Sequence, residues 1–396
     1  MTTRLSPRTE LRNFALLLAA GLLVAALGLW AAHFMESRGH IVTGMNNQVV
    51  WGLPHVFAIF MIVSASGVLN VASVGSVFGR AVYKARAPLA GLLAMALLAG
   101  GLAVLMLDLG RPDRVIVAAT HYNPTSVFAW NVLLYSGLFG TVALYLWTLM
   151  DRTMGAWNKP AGFLVFLWRF VLTTGTGLIF AFLVARQAYA SALLPPLFIV
   201  LSLAWGHAIF LVVQHAMLRW NAMELHPGIQ KRLKNLLGVF VLSVLYLVAA
   251  YHLTNAYFAR QSAFERYLLL DGGAVTALFW LGYVGVGTLL PLALIFLPKA
   301  GGQRCVLGAA LGVIVGAFSL LYVFIIGGQT YPLQIFPGYH AVSSFADGAI
   351  TPYAPSLPEW ALGLGGLGIA FLITLVGVRV LNFLPRDVPG QPVESN

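Results

Sequence analysis

The chain has 396 residues, 60% of them hydrophobic and only 9% charged, with a formal charge of +11 and a mean hydropathy of +0.86. A soluble domain of this size is about a quarter charged, so the composition excludes an ordinary soluble enzyme and makes the bilayer the expected solvent. The positive charge does not point to nucleic acid, because the basic residues fall between apolar runs and not along one face.

The stretch from Met1 to Arg12 is polar and basic, and no small-residue cleavage site follows the first apolar run. That run is expected to stay in the membrane as a helix. A spanning helix needs about 20 mostly apolar residues. Ten windows meet that need: 13–33, 51–78, 88–108, 124–150, 161–185, 190–218, 234–258, 272–297, 305–327 and 358–382. The expected fold is an all-α integral membrane protein of about ten transmembrane helices. Sixteen of the 23 Lys and Arg fall at one side of these spans and six at the other, and Arg169, well within a span, completes the count. Basic loops stay cytoplasmic, so both termini are expected inside. The loop from Gly328 to Pro358 holds no Lys or Arg. It is expected outside, folded as a cap and docking surface with Tyr331, Phe336 and Tyr339 at the interface. Cys305 is the only cysteine, which excludes a disulfide and leaves too few thiolates for an iron–sulfur cluster held by this chain alone.

The densest polar stretch is LMLDLGRPDRVIVAATHYNP, residues 105–124. Asp108 closes the third span on the outer side, Asn123 precedes the fourth, and His55 lies one turn into the second. Consecutive helices with short connections pack as neighbours. His55, Asp108, Arg111, His121, Tyr122 and Asn123 can therefore share one pocket near the outer interface. A carboxylate and an imidazole there suit proton movement at a partly dry site. The plainer alternative is a loop tie of Asp108 and Asp113 to Arg111 and Arg114. Within the spans, Arg169 with Thr173, His207 and His252 form a candidate proton route, although Arg169 can instead snorkel to the surface. Paired histidines at matched depth would ligate haem. His55 and His252 are the candidates, while His207 and His215 lack evident partners.

The phrases DLGRPDR at 108–114, HYNPTSVFAWN at 121–131 and GGQTYPLQIFPGY at 327–339 resemble the NrfD/PsrC family, the membrane subunits of polysulfide-reductase-like respiratory complexes. Ten spans, instead of eight, and a long outer loop look closer to the DsrP-like branch. The resemblance implies a single polytopic domain with two four-helix bundles and two flanking helices. Residues 13–50 would form the first helix and an outer loop, 51–185 the first bundle with the quinone site, and 186–327 the second bundle. Residues 328–357 would form the outer loop, and 358–396 the last helix and tail. It also implies exchange of electrons between menaquinone or ubiquinone and a four-cluster ferredoxin-like iron–sulfur partner. Further catalytic or cytochrome subunits would complete the assembly in a bacterial or archaeal cytoplasmic membrane, with no haem in this chain. The rival readings are a secondary transporter, for which no matched pair of broken spans is found, a haem b anchor, and a passive membrane anchor.

Overall fold

The computed structural model describes residues 7–297, 302–333, 348–381 and 383. Among these, ten helices are long and apolar enough to cross a membrane. They are α1 (Pro7–Arg38), α2 (Leu53–Ser76), α3 (Ala87–Leu107), α4 (Val127–Met150) and α5 (Asn158–Ala181). Then follow α6 (Leu194–Trp220), α7 (Pro227–Tyr257), α8 (Ala274–Phe296), α9 (Gln303–Thr330) and α10 (Leu357–Leu381). No strand occurs among the described residues, as a bilayer requires of any protein that does not close a barrel.

The helices pack as a first group of α2, α3, α4 and α5 and a second of α6, α7, α8 and α9, with α1 and α10 against each other and α10 also against α2 and α3. Helix α2 is buried along nearly its whole length, which explains its apolar and small-residue character. It also joins the groups, because α6 crosses it closely. A Cβ on Gly67 would lie 1.6 Å from the Ser202 carbonyl oxygen, and one on Gly206 would lie 2.2 Å from the Val68 nitrogen. Such backbone-to-backbone approach needs glycine on both helices.

Several boundaries differ from those read off hydropathy. Helix α7 begins at Pro227 and not near 234, because Lys231, Arg232 and Lys234 extend it beyond the apolar stretch. Helix α5 ends at Ala181, four residues short of its window. Helix α9 runs on through wide π turns at Tyr322–Gly327 to Thr330, so the loop expected from Gly328 starts later. That extension places Gln329 in the interior. A second π stretch, Leu278–Leu289, precedes Pro291 in α8, where the missing proline N–H would break a regular α-helix. Tyr331 packs on Phe264 and Tyr267, whereas Phe336 and Tyr339 lie outside the described residues.

Candidate functional site

His55 sits in the first turn of α2, and its backbone N–H donates to the Gly52 carbonyl at 3.1 Å. Asp108 is the C-cap of α3, with its N–H on the Val104 carbonyl. Because α2 and α3 are antiparallel neighbours, these two ends meet. His55 Nδ1 is 2.8 Å from Asp108 Oδ2, with the imidazole 18% and the carboxylate 1% exposed. The contact is close but poorly aligned for a hydrogen bond, and both Asp108 oxygens are buried with no aligned protein donor. A buried carboxylate without donors is costly, so Asp108 is poised to take a hydrogen bond from a bound group. Trp51 lies nearly parallel to the imidazole, centroids 6.0 Å apart and planes 24° apart, and also meets Phe128 and Phe180. His40 Nε2 donates to the Asp108 carbonyl at 3.0 Å, which fixes the end of α3.

The other sequence-selected residues are arranged differently. Arg111 makes a two-point contact with Asp113, 3.1 and 3.0 Å, on an exposed surface. The guanidinium holds the Asp113 carboxyl below its ordinary value and is itself raised. His121 Nδ1 bonds Thr120 Oγ1 at 2.9 Å. Asn123 Oδ1 accepts from the Thr125 N–H and hydroxyl at 3.0 and 2.8 Å, and Tyr122 is exposed. These contacts are local to the loop and to the short helix Val115–Thr120 within it. The structure therefore brings His55 and Asp108 together and spreads Arg111, His121, Tyr122 and Asn123 over the loop outside them.

Arg169 is buried and does not snorkel. It reaches the Ser66 carbonyl at 3.5 Å and Asn70 Oδ1 at 3.3 Å, with its guanidinium 4.5 Å from the centre of the Phe170 ring. Thr173 bonds the Arg169 carbonyl at 2.9 Å and not its side chain. His207 Nε2 donates to the Leu233 carbonyl at 2.9 Å, tying α6 to α7. His252 Nδ1 donates to Glu265 Oε2 at 2.7 Å, and Asn255 Nδ2 donates to Glu265 Oε1 at 2.9 Å. This second histidine–carboxylate pair escaped the sequence reading because Glu265 sits on a separate short helix, Ala259–Arg266.

Sequence reasoning also missed the strap, residues 44–53, that connects α1 to α2 and leads into His55. Gln329 Oε1 accepts the Val50 and Trp51 N–H groups, both at 3.0 Å, while its Nε2 donates to the Trp51 carbonyl at 3.0 Å. Gln48 Nε2 donates to the Thr330 carbonyl at 2.8 Å, and Arg186 donates to the carbonyls of Gln48 and Gln329 at 2.7 and 3.2 Å. The phrase GGQT carried the signal. Its glutamine is an interior clamp, as only an amide can serve a backbone N–H and C=O at once.

The sequence matches the profile of the polysulphide reductase family, NrfD, over residues 41–332. It is 30% identical over 375 residues to the Hdr-like menaquinol oxidoreductase integral membrane subunit of Archaeoglobus fulgidus, covering 94% of each protein. It is 23% identical to a selenate reductase subunit of Mesobacillus selenatarsenatis, over 90% of this sequence and 92% of that one. The protein NrfD of Escherichia coli is 24% identical over 71% of this sequence and 96% of its own.

Proposed function

This chain belongs to the NrfD, or polysulphide reductase, family, and on that premise we propose that it is the quinone-reactive membrane subunit of a respiratory oxidoreductase. The observation that carries the reading is Asp108: a buried carboxylate, 2.8 Å from an accessible imidazole, whose oxygens lack aligned donors. Oxidation of a quinol releases two protons and two electrons. In this proposal a quinol hydroxyl donates to His55 Nε2, and the imidazole relays a proton from Nδ1 to Asp108 Oδ2, 2.8 Å away. Both O–H protons pass to these groups and then to water along the half-open histidine. Both electrons leave to an iron–sulfur partner, and quinone reduction runs the same steps backwards. His55 faces the hydroxyl with its free nitrogen because its other nitrogen lies against Asp108.

The name of the Archaeoglobus relative favours menaquinone over ubiquinone. The charge asymmetry of the loops favours an outward site face with both termini in the cytoplasm. A four-cluster ferredoxin-like subunit would then dock over the outer loops, including 109–123, because one cysteine leaves electron relay to another protein. No haem enters the proposed reaction. The test is turnover of the purified complex with quinol. Asp108→Asn keeps the shape and cannot carry the proton, and His55→Ala removes the acceptor. Each should lose about 10²–10⁴-fold of quinone-dependent rate, with dye-linked activity at the partner retained. Wild-type rates in both would remove the pair from the reaction.

A further inference from the structure

We propose that Glu359, at the start of α10, is a positioning residue for the quinone site and acts through Tyr353 on the first turn of α2. The proposal rests on the reading of His55 and Asp108 given above. Glu359 is completely buried, and a buried carboxylate is tolerated only where donors surround it. Its Oε2 accepts the Gly44 N–H at 2.8 Å and the Ser356 N–H at 2.7 Å. Its Oε1 accepts the Tyr353 hydroxyl at 2.7 Å. The Tyr353 oxygen in turn accepts the Leu53 N–H at 2.7 Å.

The Ser356 bond alone would be an ordinary capping-box contact of α10. The other two go elsewhere, to the strap and to the beginning of α2. Helix α2 has Gly52 as its N-cap, with no capping side chain, and Pro54 offers no N–H. The Leu53 N–H is therefore a donor with no partner within the helix, of the kind a helix start must satisfy, and Tyr353 supplies the acceptor from 300 residues away. A negative group beside the positive end of α2 is also favourable. Burial, followed by the hydrogen bond to Glu359, pushes the Tyr353 hydroxyl above its ordinary value, so it keeps its proton and donates to the carboxylate.

The fit leaves no slack. A Cβ on Gly52 would stand 2.4 Å from Glu359 Oε1 and 2.9 Å from the Tyr353 oxygen, and one on Gly44 would stand 2.1 Å from the Ala354 carbonyl oxygen. Gly52 accepts the His55 N–H, so the carboxylate fixes the residue from which the imidazole is hung, and Trp51, which faces that imidazole, is the next residue back. The family match ends at residue 332, so this anchor comes from a helix outside it.

The experiment compares Tyr353→Phe, which removes one hydroxyl, with Glu359→Gln in the purified complex. Each is measured for quinol KM, kcat and amide hydrogen exchange at Leu53–His55. We expect near-normal assembly, faster exchange at those amides, and a rise in quinol KM of about five- to tenfold exceeding any fall in kcat, as loss of one buried hydrogen bond implies. Unchanged exchange and unchanged KM in an assembled Tyr353→Phe complex would overturn the proposal. So would faster exchange with unchanged KM where Asp108→Asn abolishes turnover, because the anchor would then be structural only. If Asp108→Asn itself leaves turnover intact, the quinone reading fails, and the exchange data still report whether Glu359 holds the helix start.

Discussion

Among the described residues are two histidine–carboxylate pairs, one for each group of four helices, and they differ in what they leave unmet. In the second pair His252 and Asn255 take one Glu265 oxygen each, at 2.7 and 2.9 Å. The first pair also sets an imidazole against a carboxylate at nearly the same separation, 2.8 Å, yet Asp108 lacks an aligned donor and its imidazole is the more exposed of the two. A saturated buried carboxylate joins helices. An unsaturated one invites a ligand. The same kinds of group therefore carry opposite readings, and the difference lies in the hydrogen bonds each carboxylate receives.

The contrast breaks most directly by exchanging losses. Asp108→Asn should cost about 10²–10⁴-fold in quinol turnover, whereas Glu265→Ala should leave turnover per assembled complex within about twofold. The Glu265 change should instead lower the unfolding midpoint in detergent, because stranding His252 and Asn255 costs about 1–3 kcal/mol per unsatisfied group. A loss of turnover in well-assembled Glu265→Ala would make the second pair a working site. Next in size, Gln329→Ala strands the Val50 and Trp51 N–H groups, and it should raise quinol KM several-fold while kcat changes less. A pure kcat effect would mean that the strap does not position the ring of Trp51.

The smallest effect belongs to the loop. Asp113→Asn removes the exposed tie to Arg111 and should leave turnover within about twofold. The Arg111 guanidinium lowers the Asp113 carboxyl below its ordinary 3.8. Whatever stability the tie gives is therefore present above that ordinary value and is lost only as pH falls through the lowered one. Turnover between neutral and mildly acidic pH should not report it. An Asp113→Asn variant whose pH profile shifts in that window would place the loop charges at the site.

The spans are legible because a bilayer demands long apolar windows, and the pairing of His55 with Asp108 follows from two short connections and the alternation of helix direction. The four companions enter the expected pocket only through nearness in sequence. Residues 115–120 form a helix of their own, and Arg111, His121, Tyr122 and Asn123 lie along that loop. Glu265 and Glu359 are hidden for another reason. Their partners lie on other elements, 13 residues away for His252 and 315 for Gly44, and hydropathy carries no trace of which buried carboxylate meets which donor. Glu359 does leave a local sign, the spacing Ser356 to Glu359 ahead of an apolar run, which marks a helix start but not its second task.

The claim that the first pair holds the quinone is tested most directly by a photoreactive quinone cross-linked to the purified complex and mapped by peptide. The label should fall on residues around Trp51–His55 and Leu105–Asp108, compete with unlabelled quinol, and disappear from the Asp108→Asn complex. A label that instead maps to the Val248–Leu268 region, around His252 and Glu265, and persists in Asp108→Asn would contradict the account.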